Sequence, residues 1–445
     1  MLPPYLAKAV ANPPGKRLPW YSNIAPSYFG TFLWIAFFQS MAVGTINRAS
    51  LGVCLAALAV AALLSHALWY YVPAMLGMKT GFSLYVVGSS TFGTKGGYLM
   101  PGLLMGVLQV GWYSVSSFFA IKFILTGFGF EARPGSLPFI LVGILWGYSM
   151  AYVGVKGVRY VAKLSLFLNI IPFVMVLFVF YKTQPGMGQH VPSDPNSFIA
   201  FTMLIQMVIG FFATAGAAGT DFGMSARNRR DVCLGGLFGI SLAILYAGGL
   251  PLMSVAGAQV LFPHMQGLTY DAVITALGGW LAKAMFLLFA VASIPPACFC
   301  GFIIGNSFAT MIPSVSRMTI TMLGVTVSIV LAVTGVAENL VSFFTIAGAS
   351  FGPICGAMVA DYLLSGRRWA GPREGINLAG YIAWALGFVV GNIPFLPVSD
   401  QVKTLAQPAV VYSFLTGFAV YWILAKAGLQ PKTVAMPAAI VSTGS

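Results

Sequence analysis

The sequence predicts an all-α integral membrane protein with twelve transmembrane helices, and three observations lead to that prediction. Of its 445 residues, 23 are Lys or Arg, 9 are Asp or Glu and 58% are hydrophobic. Because this number of charged residues is too small to cover a water-facing surface, lipid must replace water around most of the chain. The charges leave twelve uncharged stretches long enough for the ~20 residues that cross a ~30 Å hydrocarbon core. Polar and apolar residues do not alternate within these stretches, which argues against a membrane β-barrel.

Each uncharged stretch has at least 18 residues and predicts one transmembrane helix. In chain order the stretches are 18–47, 49–78, 96–121, 134–155, 164–181, 195–220, 232–270, 284–316, 318–337, 339–360, 375–399 and 404–425. The seventh is almost long enough for two helices. Its Gly248, Gly249, Pro251 and Pro263 favour one helix followed by an interfacial segment, because glycine and proline weaken helices.

The loop charges predict the orientation of the chain. If the N-terminus is cytoplasmic, 17 of the Lys and Arg residues fall on the cytoplasmic side and 6 on the other side. This positive-inside bias predicts a multi-pass protein of the cytoplasmic (inner) membrane with both termini in the cytoplasm. The net charge of +14 does not indicate a nucleic-acid partner, because the cations are spread over the loops.

The sequence lacks the motifs of common enzymes, so we predict that the protein is not an enzyme and has no catalytic residues. Its three histidines are far apart, none lies in an H-E-x-x-H pattern, and there is no G-x-S-x-G elbow or phosphate-binding loop. Cys298 and Cys300 form a C-x-C pair without a cluster of further ligands, which does not favour a metal site. We expect no cofactor other than a coupling ion, and no obligatory protein partner.

The first and sixth stretches resemble each other. TFLWIAFFQSMAVGTINR and MVIGFFATAGAAGTDF both place two phenylalanines before polar and small residues. Many secondary transporters consist of two inverted halves whose first helices are broken near the middle of the membrane. Gly44 in the first stretch, and Gly210, Gly216 and Gly219 in the sixth, would let the backbone open there. Close packing of helices at small residues explains the same glycines, and both interpretations stay open.

The third stretch carries polar and aromatic residues on one helical face. Gln109, Trp112 and Ser116 follow i, i+3, i+7 spacing. An indole beside an amide is suited to a flat heterocycle, since the ring stacks while the amide bonds to its edge. The alternative is that Trp112 belongs to the interfacial aromatic belt, which its position near the middle of 96–121 disfavours.

The eighth stretch contains FAVASIPPACFCGF, in which Pro295 and Pro296 remove two amide donors and free carbonyls in the preceding turn. With the Ser293 hydroxyl, these carbonyls would form a group of oxygens suited to Na⁺. A plain proline kink is the competing interpretation.

Two acidic residues close uncharged stretches at the predicted cytoplasmic boundary. Asp221 follows the sixth stretch, near Arg227, Arg229 and Arg230, and Asp361 follows the tenth, near Arg367 and Arg368. We expect salt-bridged gate or topology roles for them rather than proton relays.

Four segments of the chain carry recognisable motifs. The longest is STFGTKGGYLMPGLLMGVLQVGWYSV at 90–115. It is followed along most of the chain by AGTDFGMSARN, GPICGAMVADYLL and INLAGYIAWALG. In these motifs and in their order the chain resembles the nucleobase-cation symporter-1 family, and within it the cytosine permeases.

The resemblance implies a leucine-transporter-type fold, with a five-plus-five inverted repeat and two peripheral helices. It divides the chain into five segments: a cytoplasmic tail 1–28, a first repeat 29–181, a second repeat 195–364, peripheral spans 375–425 and a cytoplasmic tail 426–445. It also implies a substrate site near the membrane midplane, formed by Phe38, Gln39, Gln109, Trp112, Phe212 and Thr214.

One departure from the family concerns the coupling ion. Cytosine permeases have a TTNDN-like run in span eight, where this chain has Ala292-Ser293-Ile294-Pro295-Pro296. Ser293 alone keeps a hydroxyl there, so the sequence leaves both Na⁺ and H⁺ open.

These observations together predict a secondary active transporter. It would import a nucleobase or related small heterocycle across the lipid bilayer, coupled to a cation gradient, by alternating access. The alternatives are a passive channel, which would not accumulate its solute, and a membrane-embedded enzyme acting on a small polar metabolite.

Overall fold

The computed structural model describes residues 2–312 and 314–436, without the side chains at 157–164, 166 and 310. Met1 and the end of the predicted C-terminal tail, 437–445, lie outside the described residues. Across that part of the chain the regular structure is helical, and strand-like pairing is limited to isolated bridges between Leu18 and Ala226 and between Arg373 and Thr433. The prediction of an all-α chain is confirmed.

The long helices are numbered α1 to α12 here. The first, α1, is broken into Ile24–Phe32 and Ile35–Phe38, and α8 is divided into Gly279–Ala292 and Ile294–Met311. The others are α2 Leu51–Thr80, α3 Gly96–Gly127, α4 Leu137–Leu168, α5 Ile170–Met187, α6 Ser197–Ala217, α7 Arg229–Leu261, α9 Arg317–Val333, α10 Leu340–Leu364, α11 Leu378–Gly391 and α12 Ala409–Lys426. A further helix, Tyr270–Leu277, joins α7 to α8 and is called the outer helix below.

Local sequence fixes where several helices begin. Asn196, Ser316 and Asn339 each accept a hydrogen bond from the backbone N–H three residues later, which caps α6, α9 and α10. Ser136 precedes α4, which carries Pro138 in its first turn, where the missing amide proton costs nothing.

Nine helices among the described residues are long and apolar enough to cross a membrane. The apolar helices α9 and α11 are shorter, and α1 is broken. The seventh stretch contributes to one candidate span, α7, and to the loop after it, as predicted, and the outer helix begins at its last residue, Tyr270.

Burial separates the interior helices from the peripheral ones. In the most apolar windows of α3 and α10, 78% and 83% of residues are buried, against 28% in α4 and 33% in α5 and α12. α3 packs against α8 and α9, and α6 packs against α2 and α10. Helix α3, for which the sequence predicts a polar face, therefore lies inside the bundle with α10, whereas α4, α5 and α12 lie at its periphery.

Candidate functional site

The centre of the site is the break in α1. Trp34 has an extended backbone (φ −75°, ψ 131°) between the two halves of the helix. After Phe38 the chain forms turns without a regular helix until Leu51, and Gly44 adopts a left-handed φ of 70°. Backbone groups released inside a membrane must find partners in protein or ligand. The predicted opening of the first stretch is therefore present in the structure.

Five aromatic rings from four helices meet at the middle of α3. The ring of Trp112 lies 4.7 Å from Phe343, 5.1 Å from Phe211, 5.5 Å from Trp34 and 5.8 Å from Phe344, measured between centroids. These five residues are called the aromatic cluster. Trp112 is almost fully buried among them, so it does not lie in an interfacial belt.

Helix α6 presents Thr214 to this cluster. The indole Nε1–H of Trp112 donates to Thr214 Oγ1 at 3.2 Å. Because Phe211 is three residues before Thr214, the two share a helical face, and both contact Trp112. The structure thus brings together two of the predicted residues, Trp112 and Thr214, with a phenylalanine that the resemblance did not single out.

The structure places Phe212 away from Trp112, on the next face of α6. Its ring lies 5.6 Å from the rings of both Tyr28 and Phe32 in the first half of α1. Successive helical residues point about 100° apart, so Phe211 and Phe212 cannot both face α3. The ring from α6 that meets Trp112 is Phe211 rather than Phe212.

Gln39 lies just after the break in α1 and is held by the outer helix. Its side-chain Oε1 accepts the backbone N–H of Asp271 at 3.1 Å, and its carbonyl accepts that of Tyr270 at 3.3 Å. Phe38 packs edge-on against Tyr270 at 5.0 Å and tilted against Phe289 at 6.2 Å. Phe38 therefore lies under the outer helix, one layer away from the aromatic cluster.

Gln109 lies on α3, one turn before Trp112, and is nearly buried. Its Nε2 is 3.7 Å from the Met105 sulfur, a weak partner within the same helix. An amide so weakly bound keeps most of its hydrogen-bonding capacity for a ligand. Ser116, one turn after Trp112, has a buried hydroxyl without a partner in the described residues.

The predicted ion-binding turn lies at the division of α8. Ser293 has φ −82° and ψ −7°, and its hydroxyl donates to the Phe289 carbonyl at 2.9 Å. Pro295 and Pro296 lack the amide protons that the carbonyls of Val291 and Ala292 would accept in a regular helix. The turn thus carries one hydroxyl and two carbonyls that lack the donor four residues later, although the Ser293 N–H also approaches the Val291 carbonyl.

A cavity of about 620 Å³ opens beside the outer helix, lined by Lys122, His264, Gln266, Thr269, Asp271 and neighbouring residues. Lys122 Nζ lies 2.6 Å from the Asp271 carboxylate. Burial would raise the pKa of Asp271, but the Lys122 ammonium and the hydrogen bonds from Thr269 and Gln39 lower it overall. The carboxylate that fixes the outer helix is therefore ionised.

The two acidic residues at the other ends of the spans have different partners from those expected. Asp361 pairs with Arg373 at 2.6 Å and accepts the Ser90 hydroxyl at 2.6 Å, rather than pairing with Arg367 or Arg368. The pairing of Asp361 with Arg373 could not be predicted from the sequence, because it depends on a loop that folds back against α10.

Asp221 lies just beyond the end of α6. It accepts the Leu84 backbone N–H at 3.0 Å, and the ion pairs of the described residues give it no cation. The nearby Arg227 instead pairs with Asp231 at 2.9 Å. Burial raises the pKa of Asp221 to about 6, against the opposing effect of the Leu84 N–H.

The N-terminal segment and the 93–95 turn, which joins the short helix Ser89–Phe92 to α3, close the same end of the bundle as Asp221. Tyr5 donates to the Thr94 carbonyl at 2.9 Å, and Leu18 N–H donates to the Ser225 carbonyl at 2.7 Å. Thr94 N–H in turn donates to the Arg373 carbonyl at 2.7 Å. The predicted tail is thus packed against the helices, and α1 begins within it, at Ile24.

Sequence reasoning missed Trp34, Phe211, Phe343 and Phe344. Phe211 could have been predicted, since its spacing of three residues from Thr214 places both on one face of α6. Phe343 and Phe344 meet α3 only through the packing of α10, which no local pattern shows.

The chain is similar to transport proteins in sequence and in fold. The cytosine permease of Escherichia coli K12 is 26% identical over 362 residues, which cover 76% of this chain and 78% of that protein. No protein-family model matches the chain.

The structure is similar to that of Mhp1, a nucleobase-cation-symport-1 family transporter. In its closed conformation with bromovinylhydantoin bound, Mhp1 superimposes with a TM-score of 0.66 at 16% identity, covering 96% of each chain. Its inward-facing conformation gives 0.67 at 16% identity, covering 95% of each chain. The chain has the Mhp1 fold, and the predicted family resemblance is confirmed. These relatives are a permease and a transporter rather than enzymes, as predicted.

Proposed function

We propose that this multi-pass membrane protein is a secondary active transporter that imports a nucleobase or a related small heterocycle. It would do so by alternating access, coupled to a gradient of Na⁺ or H⁺, in the cytoplasmic membrane with both termini inside. The twelve helices would each span the membrane, α1 to α5 and α6 to α10 forming the inverted repeats and α11 and α12 lying at the periphery.

The observation that carries this proposal is the setting of Trp112. A large π face, an indole bonded to a hydroxyl and an under-used amide on Gln109 converge at a broken helix deep in the bundle. A planar ring stacks on such a face while edge hydrogen bonds fix its orientation. The relatives support the ligand class, since one is named a cytosine permease and another holds a hydantoin.

Within this site we assign the residues as follows. Trp112 and Phe211 would stack on the ring, while Gln109, Thr214 and Gln39 would bond to its edge. Phe38 and Phe212 would support the site from the next layer, because their rings contact Tyr270 and Tyr28 instead.

Alternating access requires contacts at both ends of the site that form and release in turn. On one side, the outer helix bonds to Gln39 and is held by Lys122. On the other, Asp221 accepts the Leu84 N–H, and Tyr5 donates to the Thr94 carbonyl in the 93–95 turn. These two sets of contacts support a two-gate mechanism.

For the coupling ion we propose the turn at Ser293, where Val291 and Ala292 supply carbonyl oxygens. Oxygen ligands of this kind suit Na⁺. The scarcity of hydroxyls there keeps H⁺ as the second candidate.

The deciding experiment is uptake of labelled cytosine, uracil, adenine, hypoxanthine and allantoin into proteoliposomes, with Na⁺ and H⁺ gradients imposed separately. We expect accumulation of at least one compound above equilibrium under one gradient. Entry that only equilibrates would identify a channel, chemical conversion would identify an enzyme, and no entry of any compound would refute the proposal.

Two variants test the assigned residues. Trp112→Ala should lower thermal stability and abolish binding of the transported compound in protein that is still monodisperse and folded, and unchanged binding would remove Trp112 from the site. Ser293→Ala should weaken stimulation by Na⁺, whereas an unchanged response to Na⁺ would refute the assigned turn.

A further inference from the structure

Trp34 occupies an unusual position in the aromatic cluster. It is the extended residue at the break of α1, and its ring lies 5.5 Å from Trp112 and 6.2 Å from Phe211. Its indole Nε1 is enclosed by protein, yet it has no hydrogen-bond partner among the described residues. An unpaired donor thus belongs to a ring that packs beside the ring on which the heterocycle is proposed to stack.

Three other indoles in the bundle donate their N–H groups. Trp112 donates to Thr214, Trp369 donates to the Val87 carbonyl at 2.9 Å, and Trp384 donates to the Ser350 carbonyl at 3.0 Å. A buried donor that is left unpaired destabilises the folded protein. Phenylalanine could supply a similar aromatic surface at Trp34 without that cost, so the N–H calls for an explanation.

Two other tryptophans, Trp69 in α2 and Trp146 in α4, also have enclosed Nε1 atoms without a partner in the described part of the chain. Trp69 packs against Phe414 of α12, with ring centroids 4.8 Å apart. Trp34 differs from both because its ring lies against Trp112. It therefore offers a donor at the proposed ligand, and the other two serve as matched controls.

We infer that Trp34 is a specificity-determining residue, whose indole N–H donates a hydrogen bond to the transported heterocycle. This inference rests on the proposed function. The ligand atom it selects is an acceptor: a carbonyl oxygen or an unprotonated ring nitrogen.

The neighbouring groups support this choice of acceptor. The Trp112 N–H is already used by Thr214, and Gln39 Oε1 is already used by Asp271 N–H. Of the two indole N–H groups that meet at the α1 break, the Trp34 N–H is the one without a partner among the described residues. A heterocycle bound against Trp34 would therefore need a hydrogen-bond acceptor on that edge.

The test compares three tryptophan-to-phenylalanine variants of the full-length protein. Affinity for labelled cytosine, uracil, adenine, hypoxanthine and allantoin is measured for unaltered protein, Trp34→Phe, Trp69→Phe and Trp146→Phe, each checked for monodispersity and thermal unfolding. Trp34→Phe should weaken binding of the preferred compound about tenfold, whereas the two controls should stay within about twofold.

A second measurement needs no variant. If cytosine is the preferred compound, 2-thiocytosine weakens the carbonyl acceptor and 3-deazacytosine removes the ring nitrogen acceptor. The unaltered protein should discriminate against at least one of them, and Trp34→Phe should lose most of that discrimination. For another preferred compound, the corresponding thio and deaza analogues are used.

The outcomes separate this inference from the proposed function. Unchanged affinity in Trp34→Phe, equal losses in all three variants, or no discrimination by the unaltered protein would each overturn the role of Trp34. In those cases the proposed function would stand if uptake is observed. Failure of the unaltered protein to bind any of the compounds would overturn the proposed function, and this inference with it.

Discussion

Helices α1 and α6 carry a similar run of two phenylalanines followed by small residues, but they fold differently. α1 is interrupted at Trp34 and becomes irregular after Phe38, whereas α6 continues through Gly210 and Gly216 to Ala217. Both helices contribute to the site, one through an opened backbone and the other through the face of a regular helix.

The glycines of the two helices have different roles. Gly44 in α1 has a φ of 70°, a conformation that L-residues rarely adopt. In α6, a Cβ at Gly210 would overlap the Phe344 carbonyl, and one at Gly216 would lie 2.8 Å from the Trp69 Cβ. Glycine allows a left-handed backbone conformation in α1 and allows close helix packing in α6. The same sequence pattern therefore has two different structural roles.

The largest effect on stability should come from replacing one of these glycines with alanine. Gly210→Ala forces α10 away from α6 and should cost about 3 kcal/mol, the upper end of overpacking penalties. Gly44→Ala should cost about 1 kcal/mol through left-handed strain, since its nearest neighbour is the flexible Met203 side chain. Thermal unfolding in detergent measures both.

Asparagine variants distinguish backbone strain from steric overlap, because asparagine tolerates the left-handed conformation better than alanine but has a larger side chain. Gly44→Asn should be milder than Gly44→Ala, whereas Gly210→Asn should be worse than Gly210→Ala. The opposite order at either position would contradict the assigned roles.

The next effect concerns the partner that holds the opened part of α1. Lys122→Met leaves the Asp271 carboxylate buried without its cation and should destabilise the outer helix over Gln39 by about 2 kcal/mol. Adding Asp271→Asn removes the uncompensated charge and should restore much of the stability. Single and double variants that unfold at the same temperature would show that the ion pair does not hold this helix.

Acid should weaken the same contact. The folded state lowers the pKa of Asp271, so its stabilising contribution is present above the unfolded pKa and is lost as the pH falls through the lower folded value.

A smaller effect should distinguish the two phenylalanines of α6. Phe211→Ala removes a ring that contacts Trp112 and should weaken heterocycle binding about tenfold, equivalent to 1.4 kcal/mol. Phe212→Ala should lower thermal stability but leave affinity within about twofold, because Phe212 contacts Tyr28 and Phe32. A larger loss of affinity in Phe212→Ala would return the stacking role to that residue.

The smallest effect concerns the end of α6. Because burial raises the pKa of Asp221 to about 6, its contribution to stability is greatest below the unfolded value and is lost as the pH rises through about 6. Asp221→Asn keeps an acceptor for Leu84 N–H, and the unfolding temperature of this variant should depend less on pH between 5 and 7, by on the order of 2 °C. Identical pH profiles would exclude Asp221 as the titrating group.

The sequence by itself determined the membrane class, the all-helical structure and the polar residues of α3. Charge distribution and helical periodicity are local properties, so the uncharged stretches and the spacing of Gln109 and Trp112 could be read directly. Family motifs added Gln39 and Thr214. The sequence indicated that α1 could open, because Gly44 permits an irregular backbone. It did not show that α1 must open, because a glycine also fits a regular helix.

Tertiary structure decided which surfaces meet. Phe343 and Phe344 reach Trp112 because α10 packs against α6, and Asp361 finds Arg373 because the loop after α10 folds back. That Phe211 rather than Phe212 contacts Trp112, and that the Trp34 N–H has no partner among the described residues, depend on helix rotation and on the place where α1 opens. These are properties of how several helices pack around one point, and no single segment of the sequence contains them.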